Sequence, residues 1–354
     1  MNAVDVLVAG AGQAGLAVGY FLKQAGLSFV LLDKEKEIGS VWKNRYDSLV
    51  LFTPRFFSAL PGKSLHGDPE GYATKDEIAN YLKSYAASFD LPVISGTEIQ
   101  SVTKSEDGFI AETDNGTYYA RSIIAATGPF QKPYVPELAK LLSGGIIQMH
   151  TAHYQNPSSL ADGAVLVVSA GNSGAQIAVE LSKDREVYLS VGHPLRFMPL
   201  QFMNKSIFWW FDKLGILHAD VQSMRGRWLS KQPDPIFGYE LKQAIRERSI
   251  QLKPRTVAVE ADEIVFSDRS RVKVKNIVWA TGFYRDYSWI QIPSALDSNG
   301  LPIHHKGISP VTGLYYVGMP WQTRRSSALI GGVGQDAEHI VRVIAERTSA
   351  GSKQ

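Results

Sequence analysis

Apolar positions fall into a pattern that fixes most of the reading. Val4 to Ala9 is an apolar run broken only by Asp5. Such a run marks a strand buried on both faces, as in a parallel sheet covered by helices. It ends in Gly10-Ala11-Gly12-Gln13-Ala14-Gly15, passes into an apolar helical stretch to Gly26, and resumes as Ser28-Phe-Val-Leu-Leu-Asp33. Strand, glycine-rich turn, helix and strand make one βαβ unit. Thr74-Lys-Asp-Glu77 then predicts a capping box for a helix with apolar positions at Ile78, Tyr81, Leu82 and Tyr85. From Pro92 to Tyr119 the period falls to two, through Ile99, Val102 and Phe109 to Thr113, with a turn at Asp114-Asn115-Gly116. That predicts an antiparallel meander with a tight hairpin. It feeds a buried strand, Ile123 to Ala126, that stops at Thr127-Gly128.

The same order of elements recurs. Ala164-Val-Leu-Val-Val leads into Ser169-Ala-Gly171-Asn172-Ser173-Gly174, a helix with Ala175, Ile177, Ala178 and Leu181, and a strand from Val187 to Val191. After a long excursion come short strands, Thr256 to Val259 and Glu263 to Phe266, and the ending Trp279-Ala280-Thr281-Gly282. Two such units predict an α/β protein of two nested Rossmann-like domains. The expected boundaries are residues 1–155 with 283–354 for the outer domain and 156–282 for the inserted one.

Each turn has a physical task. Gly10 permits the tight turn, Gly12 lets the backbone approach a pyrophosphate, and Gly15 lets helix and strand pack closely. The free N–H groups and positive end of the helix receive the phosphates. Asp33, 18 residues beyond Gly15, can accept hydrogen bonds from a ribose diol, with Lys34 beside it. Gln13 and Ala14 complete the first cradle. Ser169, Gly171, Asn172, Ser173 and Gly174 make the second. Ser169 departs from the fingerprint, and a Cβ in a turn built for glycine strains it by about 1 kcal/mol.

Composition removes several classes. There is no cysteine, so disulfides, thiolate metal sites, iron–sulfur clusters and cysteine nucleophiles are excluded, and no metal is expected. The 37 basic and 34 acidic residues are too balanced to argue for nucleic acid. The first strand begins almost at once, and no apolar run reaches about 18 residues. A chain with no leader and no membrane span is therefore expected, with the cytoplasm as its compartment.

Further stretches carry a resemblance. Gly39-Ser-Val41-Trp42, Tyr46-Asp-Ser-Leu49, Ala280-Thr-Gly282, Leu314-Tyr-Tyr-Val-Gly318 and Gly331-Gly-Val-Gly-Gln335-Asp336-Ala337 join the two turns. Together they resemble the class B flavin-dependent monooxygenases, in particular small bacterial flavoproteins found beside cation-efflux genes and the plant enzymes of auxin synthesis. The resemblance implies the FAD/NAD(P) architecture shared with glutathione reductase, with FAD on the first turn and a nicotinamide coenzyme on the second. In that family NADPH reduces the flavin, O2 adds to it, and the flavin hydroperoxide passes one oxygen to a small organic substrate. It places Gly39, Val41, Trp42, Thr127 and Gly128 beside the flavin, and Gln335 and Asp336 under its pyrimidine edge, just before a helix. Ala280, Thr281 and Gly282 would lie on the coenzyme side. Thr53 and Asn172 are the catalytic candidates, Thr53 standing in a loop where animal members carry asparagine. The family's Phe-x-Gly-x-x-x-His hallmark is not matched around His150, which reads as a structural residue bonded within a linker. Two other functions stay open: an NAD(P)H oxidase or electron-transfer reductase, and a nucleotide-responsive subunit for cation transport.

Coenzyme choice follows from spacing. Eighteen residues beyond Gly174 stands Gly192 rather than an acid, followed by His193 and Arg196, which can pair with a 2′-phosphate. NADPH is therefore expected, with NADH also accepted. Phe202, Ile207, Phe208, Trp209, Trp210, Phe211, Leu214 and Ile216 crowd the excursion. They read as a lid over a substrate entrance, a contact in a homodimer, a membrane-surface patch, or ordinary packing between domains. Trp321, Arg324 and Arg325 are candidates for the mouth of the site.

Overall fold

The computed structural model describes residues 2–351. Its first sheet is built on the strand Asn2–Ala9, which pairs in parallel with Phe29–Asp33 on one side and Gly116–Ala125 on the other. From Val6 to Ala9 the strand is apolar and buried because both faces are covered. Val6 and Val8 enter the core under the first helix, and Leu7 enters a separate core with Phe109 and Tyr118 of the meander. The long strand Gly116–Ala125 carries the hairpin strand Phe109–Thr113 antiparallel on its first half and Leu314–Tyr316 parallel on its second. The chain thus returns to the first domain after its second crossing at Phe283–Tyr284.

The second sheet is wholly parallel. Its order is Ile147–His150, Asn276–Trp279, Val165–Val168, Val187–Ser190 and Ile250–Lys253. This corrects the boundary at residue 155, because Ile147–His150 pairs with Asn276–Trp279 and belongs to the inserted domain. The preceding segment also packs there, with Ala139 against Phe266 and Trp279. The chain crosses earlier, at Lys132–Pro133, which pairs antiparallel with Phe283–Tyr284 on the way back. Sequence periodicity missed this because a four-residue strand after a proline-rich stretch carries little pattern.

His150 lies at that crossing. Its Nε2 donates to the Gly282 carbonyl at 2.9 Å and its Nδ1 accepts from the Ala152 N–H at 3.1 Å. The ring is therefore neutral and ties the outgoing linker to the returning one, as the sequence suggested. Burial holds its pKa below the ordinary 6.5. The contribution is complete above that ordinary value and is lost as pH falls through the lowered folded one. His150→Gln is expected to cost about 1–2 kcal/mol near neutral pH, the scale of lost buried hydrogen bonds. It should also flatten the acid side of a melting-temperature profile. His304 and His339, held low by burial as well, contribute slope in the same range, and carboxylates held low by their hydrogen bonds, Glu77 and Asp286 among them, add to it at lower pH. An unchanged profile would refute the role.

The capping box predicted at Thr74 is present, with Thr74 and Glu77 exchanging side-chain and backbone bonds. The aromatic excursion resolves mainly as packing between domains. Phe208, Phe211 and Leu217 are buried against Phe52, Phe57, Phe237 and Leu329, while Phe202 and Leu214 are about half exposed. No helix among the described residues is long and apolar enough to cross a membrane.

Candidate functional site: two matching cradles

The two glycine-rich turns have the same backbone. Gly10 has φ +104° and Ser169, at the equivalent position, φ +78°. Ser169 thus adopts the left-handed conformation that glycine would take freely, so the expected strain is real and the turn keeps its shape. A Cβ on Gly15 would stand 1.8 Å from the Gly10 carbonyl oxygen, and one on Gly174 2.3 Å from that of Ser169. Helix and turn therefore pack at backbone contact in both units. Gly12 and Gly171 differ in kind. Neither has anything within 4 Å of a Cβ, and both are extended, at φ −75°, ψ −168° and φ −77°, ψ −177°.

Both helices start unprotected. Helix Gln13–Gln24 and helix Asn172–Leu181 have glycine N-caps with no side-chain bond and no acid in the first turn. Helix Lys75–Ser88, by contrast, carries a full capping box and two acids. Free N–H groups, an open approach and a positive dipole end suit an anion in both places.

At the first cradle, Asp33 Oδ2 accepts from the Ala11 N–H at 2.6 Å and Oδ1 from the Glu35 N–H at 2.8 Å. The carboxylate shapes the turn, and each oxygen keeps a second lone pair for a ribose hydroxyl. Gln13 Nε2 donates to the Ala328 carbonyl at 3.0 Å, and Ala14 touches the chain at Gly318, so the tail closes over the helix start. Gly39, at φ +88°, lets the short helix Ser40–Lys43 press on Ala79. Trp42 beside it is half-buried, and Val41 is exposed. Lys34 is exposed. Thr127 Oγ1 and the Gly128 carbonyl both accept from Gln131 Nε2, at 3.0 and 2.8 Å. On the second side, Ala280 packs against Gly174. Thr281 Oγ1 donates to the Tyr134 carbonyl, and the Gly282 carbonyl takes the bond from His150.

Three site assignments are corrected. Gln335 and Asp336 do not precede a helix but lie in the second turn of one, Ile330–Gly351. The glycine run is itself helical, because Gly331 and Gly334 press against Phe57 and Pro61, where a side chain has no room. Asp336 is fully buried, and its Oδ1 accepts from Thr323. Its Oδ2 has no partner among the described residues, an orphan that a bound polar group would satisfy. Gln335 accepts from Arg324. Second, Thr53 is buried with its hydroxyl 2.8 Å from Ser58 Oγ. Ser58 spends its own proton on the Pro54 carbonyl at 2.9 Å, so Thr53 is the donor between the two hydroxyls and is not free for another acceptor. Third, Asn172 accepts from the Phe237 N–H at 2.9 Å and donates to the Pro235 carbonyl at 3.2 Å. Its amide clamps the end of the excursion, and Phe237 then stacks on Phe52 at 4.6 Å. Asn172 is a positioning residue, coupling the second cradle to the loop beside the first.

His193 and Arg196 are exposed, and Arg196 donates to Gln232 at 2.9 Å. His193 lines a groove of about 240 Å³ with Leu195, Lys242 and Leu252. A Cβ on Gly192 would meet Arg255 Nε at 2.8 Å. A third base thus reaches the position where an acid would exclude a 2′-phosphate. Sequence spacing missed it because the edge strand Ile250–Lys253 delivers it from afar. Arg324 bonds Gln335, and Arg325 lies 3.7 Å from Asp234 and near the Trp321 and Phe211 rings, so the segment expected at the mouth is cross-linked to the excursion.

Comparison with known proteins places this geometry. The family described as pyridine nucleotide-disulphide oxidoreductase matches residues 7–196, more than half of the chain. The chain belongs to that family. A Geobacillus kaustophilus protein named an uncharacterized oxidoreductase CzcO-like is 60% identical over 341 residues, covering 96% of this chain and 98% of its own. An Arabidopsis thaliana protein named probable indole-3-pyruvate monooxygenase YUCCA3 is 26% identical, over 98% of this chain and 88% of its own. A solved flavin-containing monooxygenase from Stenotrophomonas maltophilia superposes with a TM-score of 0.82 at 28% identity, covering 98% of this chain and all of the other. Without cysteine, this member has no disulphide chemistry of its own. It is a flavin-dependent oxidoreductase of the monooxygenase type, and the first cradle, open at Gly12 and closed by Asp33, fits FAD.

Proposed function

We propose that the chain is an NADPH-dependent monooxygenase, with FAD on the first cradle and the nicotinamide coenzyme on the second. The observation that carries this reading is the repetition: two uncapped, acid-free helix starts with open glycine approaches, joined by the paired linkers. When bound, the flavin supplies hydride acceptance and activation of O2. The chain's own residues bind and orient. Gly12 and Gly171 admit the two diphosphates, while Asp33 takes the ribose of the first cofactor. His193, Arg196 and Arg255 make the surroundings of Gly192 basic and favour a 2′-phosphate. Asn172 and the Phe52–Phe237 stack hold the excursion between the cradles and exclude water there.

One observation favours a second reading, an NAD(P)H oxidase. Thr53 spends its one O–H within the fold and Asn172 one of its two amide N–H groups, so neither side chain is held ready for oxygen chemistry. Two measurements test these readings together. The kcat/KM for NADPH is expected to exceed that for NADH by about tenfold, the worth of one charge-assisted contact; parity would remove the 2′-phosphate assignment. Peroxide yield per coenzyme consumed separates the reactions. It should fall when an oxidisable substrate is added, and a yield near one that no substrate lowers would establish the oxidase.

A further inference from the structure

The seam between the domains holds a cation that no carboxylate balances among the described residues. Arg45 belongs to the flavin-domain segment after Trp42, yet its Nη2 donates to Ser173 Oγ at 3.3 Å, in the first turn of the second cradle's helix. Its guanidinium lies 5.6 Å from the centre of the Phe130 ring and 5.8 Å from that of Phe283. Those rings follow the strand ends at Thr127-Gly128 and Thr281-Gly282. The Nε is buried and has no hydrogen-bond partner among the described residues. The group that acts on it most closely is the neighbouring Tyr46 phenol, which is neutral. The nearest acid in sequence, Asp47, is turned away to Lys75 at 3.5 Å and Asn156 at 2.8 Å.

That arrangement is unfavourable as it stands. Burial strips water from the charge, and the helix Asn172–Leu181 turns its own positive end to the same spot, with no acid in its first turn. Attraction to the two rings offsets only part of this. Burial accordingly pushes the guanidinium below its ordinary pKa. A dianion between Arg45 and the helix start would balance both.

We infer that Arg45 is a coenzyme-binding residue lent by the flavin domain, holding the diphosphate of the nicotinamide coenzyme against the N-terminus of helix Asn172–Leu181. The inference rests on the reading that the second cradle takes that coenzyme. It adds that the diphosphate is gripped from both domains, so coenzyme affinity depends on how the domains are seated. Arginine suits the task because its planar fork can engage two phosphate oxygens at once. No sequence motif marks Arg45, which lies between Trp42 and Tyr46.

The test uses the flavin-loaded full chain, with NADP+ and 2′-AMP as probes and binding read by calorimetry. 2′-AMP carries the adenosine and the 2′-phosphate but no diphosphate. In Arg45→Gln the Kd for NADP+ should rise at least tenfold while that for 2′-AMP stays within twofold. The slope of log Kd against log salt for NADP+ should become shallower. Arg45→Lys should recover part of the affinity. If Arg45→Gln does not retain flavin, Arg45→Lys against wild type carries the same comparison, with weaker NADP+ binding at unchanged 2′-AMP. Unchanged NADP+ affinity overturns the inference, and so does equal weakening of both probes, which would mark Arg45 as a tie between domains. A wild-type protein that binds neither probe overturns the coenzyme reading of the second cradle and this inference with it.

Discussion

Gly12→Asp is expected to yield a folded protein without flavin. The backbone at Gly12 is extended, and nothing lies within 4 Å of a new Cβ, so the substitution strains nothing. Aspartate is also a better N-cap than glycine by a few tenths of a kcal/mol, and its charge meets the helix dipole favourably by about 0.3–1 kcal/mol. The apoprotein should therefore melt at the same temperature as wild-type apoprotein or slightly higher. The same carboxylate takes the N–H groups that a diphosphate needs and repels it. At an effective dielectric of about 20 and about 4 Å, that repulsion is about 4 kcal/mol, or roughly three orders of magnitude in Kd. Flavin content and apoprotein melting temperature measure the two halves. A yellow variant with normal flavin content would show that the first cradle is not where FAD lies.

The second large effect is the mirror experiment. Gly171→Asp should leave the protein yellow and fully reducible by dithionite. Reduction by coenzyme should slow by roughly three orders of magnitude, because a carboxylate at this position repels the diphosphate as strongly as one at Gly12. The backbone at Gly171 matches that at Gly12, and its Cβ space is equally open. The separation is informative because a general loss of stability would strip the flavin too. Rapid-mixing traces of flavin absorbance with NADPH give the rate, and a rate unchanged from wild type would detach the coenzyme from this turn.

Much of this site could be read in the chain because glycine turns are local. The spacing from Gly10 to Asp33 sets a turn, a helix and a strand end within one βαβ unit, and Ser169 keeps its left-handed turn despite its Cβ. Side-chain roles were harder. Thr53 and Asn172 look available in sequence, and only the fold shows their polar atoms spent on Ser58 and on the 235–237 segment. Arg45 and Arg255 show the reverse case. Each is assigned to a cradle that its own neighbours in sequence do not form, so no motif marks it. The boundary error has the same origin, since Ile147–His150 is defined by its partner Asn276–Trp279 and not by its own pattern.

Reduction of one cofactor by the other requires both to be bound at once, one on each nested cradle. The most direct test is anaerobic titration of the purified protein with NADPH while the visible flavin absorbance is followed. The expected result is a yellow protein whose absorbance bleaches as coenzyme is added. A polypeptide that is colourless and refuses flavin on reconstitution would contradict this arrangement, as would bound flavin that responds to neither NADPH nor NADH.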